Sequence, residues 1–428
     1  MSQSIPSPLF DSDRSNSVDL TLNEYESTDP LDLSELDLRM IKSEVNEGAE
    51  RLDLTFDRNG MATLRATQYV GIISLPDGPT LQIRPKAGQT NLLTLLRYAQ
   101  GVQSETIEEE TSISAGRTFI EALAALFEAE LEAVIRQGLH RDYRRVEEVE
   151  NNLRGRLNVQ KQIQRQGITP TQFECTYDEL TYDTIPNKAA LFAATHLTRF
   201  VRDQTLERAL EKHCHRLRQR VSLEPVRPAE LDQVELTRLN DHYSDLIRLT
   251  KLVLRSIYVR EFTTGTQRSF ALLIDMNQIF ERTVERAVTE VFDDYGSCTV
   301  KSQTTTRNLV TDGKHTISIR PDILVRNEER NPILVGDAKW KLGRPANADF
   351  YQMTSYQFAH DVPGVLIYPE QREEIASQYT VVDQHPLSLI ELPTPKPTEK
   401  FHSYTRRLRS ELEEKLFSLL GHGLIGTV

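Results

Sequence analysis

Ile319-Arg320-Pro321-Asp322-Ile323-Leu324-Val325 and Ile333-Leu334-Val335-Gly336-Asp337-Ala338-Lys339-Trp340 are two apolar runs, and the turn-forming stretch Asn327 to Pro332 separates them. They read as a β-hairpin. Strand side chains alternate between faces, so Asp337 and Lys339 share one, and the hairpin can bring Asp322 beside Asp337. Two carboxylates in an apolar sheet repel each other and are costly to desolvate unless something positive joins them. A Mg2+ ion meets that need, because it takes a few carboxylate and carbonyl oxygens and keeps water; Mn2+ could substitute. The backbone carbonyl of Ala338 is a candidate third ligand.

This arrangement resembles the PD-(D/E)xK nuclease core, here Pro321-Asp322 and Asp337-Ala338-Lys339. The resemblance implies an acidic residue on the helix before the sheet. Phe280-Glu281 stands there, and Glu285, one turn on, is the alternative. Downstream, Gln352-Met353-Thr354-Ser355-Tyr356 reads QxxxY, as in RecB-like nucleases. Gln352 and Tyr356 share a helix face at i and i+4, from which they could contact the DNA backbone or the lysine. The expected catalytic set is Asp322, Asp337, Lys339, Glu281, Gln352 and Tyr356. The expected metal ligands are Asp322, Asp337, Ala338 and Glu281. Lys339 would hold or deprotonate the water that attacks phosphorus, and the metal would lower that water's pKa. Asp349 and Lys341 read as surface residues, and Trp340 as packing.

Outward from this segment, the chain of 428 residues is long enough for two or three domains. Its 38% apolar and 27% charged residues fit a globular protein and exclude a collagen-like or wholly disordered one. The net charge is −12, but residues 1–60 hold 14 acidic and 5 basic side chains, so the body is nearly neutral. An acidic total therefore does not exclude nucleic-acid binding, which needs only a local basic face. Three scattered cysteines exclude a disulfide framework or a cysteine zinc site. Apolar stretches too short for a bilayer and a polar, acidic N-terminus lead to the expectation of a cytoplasmic protein without a membrane partner.

The sequence is expected to be an α+β multidomain protein. Residues 1–37 read as an acidic tail that starts flexible and becomes ordered near Val18 to Leu22. Residues 38–115 read as a small β-rich domain: Leu52, Leu54 and Phe56 alternate with polar residues, and Asp57-Arg58-Asn59-Gly60 and Pro76-Asp77-Gly78-Pro79 supply turns. Residues 116–267 read as mainly helical, including Tyr143 to Leu249 apart from an interruption near Gly167 to Tyr182. Residues 268–428 read as the C-terminal α/β nuclease domain, with helices, strands at 299–303, 316–325, 333–340 and 364–368, and a last helix over 404–420.

Beyond the nuclease motif, several segments are similar to McrC proteins: Tyr69-Val70-Gly71-Ile72-Ile73, Ile83-Arg84-Pro85-Lys86, Leu96-Arg97-Tyr98-Ala99, Leu153-Arg154-Gly155-Arg156-Leu157 and Ile274-Asp275-Met276-Asn277. So is Phe173-Glu174-Cys175-Thr176-Tyr177-Asp178-Glu179 with Thr181, Asp183 and Asn187. The resemblance implies the nuclease subunit of a modification-dependent restriction system. It also implies an McrB-like AAA+ GTPase hexamer as partner, whose GTP hydrolysis the subunit stimulates, and double-stranded DNA carrying modified cytosine as substrate. The sequence has no G-x-x-x-x-G-K-[ST] phosphate loop of its own. The β-rich segment is the candidate partner contact, with Arg84 and Lys86 either contacts or solvated charges. A non-catalytic activator and a stand-alone RecB-like exonuclease are the competing readings.

A second basic region is independent of the resemblance. Arg154, Lys161 and Arg165 would share one face if Leu153 to Gln166 were helical, with Arg141, Arg144 and Arg145 just upstream. They are candidates for DNA phosphate contact, or for salt bridges to Glu147, Glu148 and Glu150. Asp178, Glu179, Asp183 and Asn187 read as a polar structural network rather than a second metal site.

Overall fold

The computed structural model describes residues 19–86, 92–102, 119–165, 171–238, 240–257, 262–264, 267–293, 298–302, 307–311, 314–371, 373–382, 385–396 and 399–420. The architecture is mixed α/β with several sheets. The chain divides into two compact units, Met1–Ala99 with Ser256–Val428, and Gln100–Arg255. The β-rich N-terminal region and the C-terminal α/β region, expected as separate domains, thus belong to one unit.

Strand β1 (Leu20–Asn23) pairs in parallel with β5 (Thr80–Arg84), Leu20 opposite Leu81. Helix α1 (Glu35–Met40) follows, so the acidic segment is ordered from about residue 20, where order was expected to begin; residues 1–18 lie outside the described residues. The acidity that suggested a tail is spent on holding backbone. Ser34 and Asp37 cap α1 reciprocally, and Asp37 Oδ1 also accepts the N–H groups of Asp77 and Gly78 at 2.9 and 3.1 Å. Asp19 Oδ2 accepts the N–H of Thr80 at 2.8 Å.

The alternating segments form strands as expected. Strands β2 (Leu52–Phe56) and β3 (Ala62–Ala66) make a hairpin whose turn is closed by Asp57 Oδ1, which accepts from the N–H groups of Asn59 and Met61. Strands β4 (Tyr69–Ser74) and β5 (Thr80–Arg84) make the next. Met40, Ile41, Leu52, Leu64, Ile73 and Leu81 are buried together beneath them. Helix α2 (Leu92–Gln100) ends this part.

The second unit holds α3 (Phe119–Gln137), β6 (Asp142–Glu150), β7 (Arg156–Leu157), α4 (Val159–Arg165), β8 (Phe173–Thr181), α5 (Ile185–Leu197), α6 (Gln204–Arg218), α7 (Pro228–Asp232) and α8 (Ser244–Ser256). Most of the described part of this unit is helical, as expected, but β6, β8 and β7 form a three-stranded sheet, so the stretch from Tyr143 to Glu150, expected to be helical, is a strand. Strand β6 runs against β8 from Asp142 opposite Thr181 to Glu150 opposite Phe173. Of its residues only Val146 is buried, so the period-two apolar pattern that marks a strand is nearly absent.

In the first unit, β9 (Phe262–Thr264) and β10 (Gln267–Asp275) precede α9 (Met276–Asp293). Strand β10 pairs antiparallel with β4, giving a sheet of order β1-β5-β4-β10-β9. This pairing is why residues 38–115 do not close a domain of their own. Strands β11 (Thr299–Ser302), β12 (Arg307–Val310), β13 (Ile317–Ile319), β14 (Ile323–Arg326) and β15 (Pro332–Ala338) lead to α10 (Asn347–His360). Then come β16 (Gly364–Pro369), β17 (Ser377–Val381), β18 (His385–Leu392) and α11 (Phe401–Leu420). The six-stranded sheet has the order β11-β14-β15-β16-β18-β17. The expected strand 316–325 is broken at Arg320 to Asp322, and β17 and β18 lengthen the sheet beyond the expected end at Tyr368. The buried stripe Tyr404, Leu408, Leu412, Leu416 and Leu420 on α11 has the spacing of one helix face.

Candidate active site

Strands β14 and β15 form the expected hairpin, Ile323 opposite Gly336, and the ladder carried back one residue sets Asp322 opposite Asp337. On its other edge β15 runs parallel to β16, with Asp337 opposite Leu366 and the Lys339 N–H donating to the Ile367 carbonyl at 2.8 Å. The interruption of the strand at Arg320 to Asp322 leaves Asp322 outside the β14 ladder. Its Oδ2 accepts the Ala338 N–H at 2.9 Å. An extended residue presents N–H and C=O to one side, so the Ala338 carbonyl faces the same edge as Asp322.

Asp337 is 2% exposed. Burial first, then the neighbouring charge of Asp322, pushes its carboxyl up to about 7, and the two carboxyls hydrogen-bond each other. Burial likewise raises Asp322, helped by repulsion from Glu281. Lys339 Nζ lies 2.5 Å from Asp337 Oδ2. Burial works against its ammonium, but Asp337 and Asp322 outweigh that and hold its pKa above the ordinary value. The same ammonium donates to Gln352 Oε1 at 3.0 Å; Gln352 Nε2 donates to Tyr356 Oη at 2.8 Å, and that hydroxyl donates to the Arg320 carbonyl at 3.3 Å. The QxxxY pair of α10 thus reaches the lysine and then the backbone just before Asp322.

Of the expected site residues, Asp322, Asp337, Ala338, Lys339, Gln352 and Tyr356 come together. Glu281, on α9, is felt at Asp322, whereas Glu285 accepts the Ser302 hydroxyl. Among the described residues no group of three His, Cys, Asp or Glu side chains stands as a metal cluster. Asp349, expected at the surface, is corrected. It is buried, caps α10 at the Ala346 N–H, and accepts Lys341 Nζ at 2.7 Å and the Tyr368 hydroxyl at 3.0 Å. Trp340 is buried against Phe280, as expected of packing.

Two residues of the site's surroundings carried no local sequence signal. Glu24 accepts the Trp340 indole N–H, and Lys86 Nζ donates to the Trp340 carbonyl, across 316 and 254 positions of sequence. Lys86 is thus held within the unit by its side chain. In the second basic region the expected shared helix face is corrected. Helix α4 begins at Val159, so Arg154 shares no helix face with Lys161 and Arg165. Arg154 stacks on the Tyr177 ring at 3.9 Å, Lys161 pairs with Glu147, and Arg165 lies 3.7 Å from Glu174. Asn187 donates to the carbonyls of His140 and Tyr182 and accepts the Tyr243 hydroxyl, while Asp183 takes Ser222 and Lys188. These contacts are those of a structural network.

Residues 64–369 match the model of a family described as McrBC 5-methylcytosine restriction system component. The chain belongs to this McrBC family. Among solved structures it is similar to a chain of the half-complex from a tetradecameric assembly of Thermococcus gammatolerans McrB AAA+ hexamers with bound McrC. The identity is 18% and the TM-score 0.56, over 92% of this chain and 99% of that one. A second likeness is to a chain of the Thermococcus gammatolerans McrBC complex, with 21% identity and a TM-score of 0.42, over 64% of this chain and 88% of that one. The first likeness gives the McrBC family member its fold. No curated protein matches. Among the described residues no helix is long and apolar enough to cross a membrane.

Proposed function

We propose that the chain is the DNA endonuclease subunit of a modification-dependent restriction complex. In this reading the β14–β15 region is a PD-(D/E)xK core that hydrolyses phosphodiesters with Mg2+, or Mn2+ in its place. The observation that carries it is the convergence of Asp322, Asp337 and Lys339 on one sheet edge, with Gln352 and Tyr356 behind the lysine.

The residues present fit a divalent cation. Two buried carboxyls stand side by side here, each raised by burial, and without a further positive charge they must share a proton. Asp322, Asp337 and the Ala338 carbonyl would hold the ion, with water completing its shell. A bound Mg2+ supplies a lowered water pKa and a positive charge beside the reacting phosphate. The protein's own part is positional and electrostatic. Lys339, fixed between Asp337 and Gln352, can orient a water and offset negative charge growing on a phosphate oxygen. Tyr356 and Gln352 restrict the lysine to one rotamer.

We extend the partner from the family and from the assembly of McrB AAA+ hexamers with bound McrC, one chain of which is similar in fold. An McrB-like AAA+ GTPase hexamer would bring double-stranded DNA with modified cytosine, and this subunit would stimulate its GTP hydrolysis. Calorimetric titration with Mg2+ tests the site. Binding should be seen with the wild-type chain and lost in Asp337→Ala; a non-catalytic scaffold would show no carboxylate-dependent binding.

A further inference from the structure

Strand β15 makes its last ladder bond at the Lys339 N–H, and Lys341 N–H then turns back to the Lys339 carbonyl. Residue 340 has therefore left the sheet, yet every handle it offers is held. Its indole N–H faces both oxygens of Glu24, at 3.1 and 3.2 Å. Its carbonyl accepts Lys86 Nζ at 2.9 Å, and its ring lies against Phe280 with centroids 5.5 Å apart.

The two polar holders are themselves fixed. Glu24 and Lys86 follow the paired ends of β1 and β5, where Asn23 stands opposite Arg84. The Glu24 N–H donates to the Arg84 carbonyl at 2.9 Å, and the Lys86 N–H donates to Glu24 Oε2 at 2.8 Å. Lys86 Nζ also sits over the Tyr25 ring, 4.6 Å from its centroid. Glu24 is 5% exposed. A buried carboxyl of this kind adds little stability over well-packed apolar residues, but the hydrogen bonds it accepts are directional. Direction is what a side chain one residue from a reacting group needs, since small misplacements cost rate.

We propose that Glu24 and Lys86 are positioning residues for the nuclease: they fix Trp340, and through it the end of β15 that carries Lys339. The inference rests on the reading of Lys339 as catalytic. Neither residue touches the site directly, and they act by holding its neighbour.

Trp340 is the chain's single tryptophan, so emission read on the full chain before the partner is added reports the surroundings of this residue. The test uses the full chain with its AAA+ partner, GTP, Mg2+ and duplex DNA carrying 5-methylcytosine. Lys86→Met and Glu24→Leu should each change the Trp340 emission and lower kcat by about 10-fold, with KM for DNA within about twofold. Glu24→Gln, which keeps an acceptor for the indole, should restore most of the rate. Lys86→Met keeps the aliphatic stem and carries the test if Glu24→Leu does not fold. An altered emission with an unchanged kcat overturns the proposal, as does a fall in kcat with unaltered emission, or no change in either. Asp337→Ala is measured alongside. If it cleaves like the wild type, the site reading itself fails; if it is dead while Lys86→Met cleaves normally, only the positioning role fails.

Discussion

Lys339 and Gln352 meet across the boundary between sheet and helix, the ammonium donating to the amide oxygen at 3.0 Å. The lysine thereby has two fixed partners, Asp337 on its own strand and Gln352 on α10. Removing the second should free the side chain without removing its charge. Gln352→Leu is expected to lower single-turnover cleavage by about 10-fold. Tyr356→Phe leaves the lysine contact intact and removes only the hydroxyl behind it, so its loss should be about threefold, the worth of one ordinary hydrogen bond. A Tyr356→Phe effect as large as that of Gln352→Leu would contradict this order of contacts.

Glu24 gives a pH dependence. Burial, outweighing the Lys86 N–H and charge and the Trp340 indole, pushes its carboxyl up to about 6 from an ordinary value of 4.5. The folded chain therefore binds this proton more tightly than the unfolded chain. Stability present below the unfolded pKa is lost as pH rises through the folded one, by about 2 kcal/mol in all, and is flat above it. Urea denaturation of the wild type and of Glu24→Gln between pH 4.5 and 7 should show the difference between them changing by that amount. Parallel curves would contradict the assignment.

Gly71 tests the joining of the N-terminal strands to β10. Its φ is +150°, and a Cβ there would lie 2.0 Å from the Leu272 carbonyl oxygen across the β4–β10 ladder. Gly71→Ala should cost about 3 kcal/mol or more, read as a fall in the denaturation midpoint. A variant of wild-type stability would mean that β4 and β10 do not pair in this register.

Much of the site was legible because its signal is local. The alternation around Asp322 and Asp337 announced a hairpin, and the i, i+4 spacing of Gln352 and Tyr356 announced a shared helix face; both stand in the structure. The hairpins of residues 52–84 were legible for the same reason. What failed had no local signal, or a misleading one. Asp37 looked like tail acidity because its targets, the N–H groups of Asp77 and Gly78, are about forty positions away. Asp349 looked solvated because the buried Tyr368 that it meets lies on another element. Strand β6 looked helical because one buried residue in nine gives no period. The Glu24–Trp340 contact joins opposite ends of the chain, which no spacing rule can reach.

The central claim is that Asp337 serves phosphodiester cleavage and not the engagement of the GTPase. The most direct measurement is to assay DNA cleavage and GTP hydrolysis together, for the wild type and for Asp337→Ala mixed with the AAA+ partner. The account predicts that cleavage falls to background while the stimulation of GTP hydrolysis stays at the wild-type level. Cleavage persisting in the Asp337→Ala complex would contradict it.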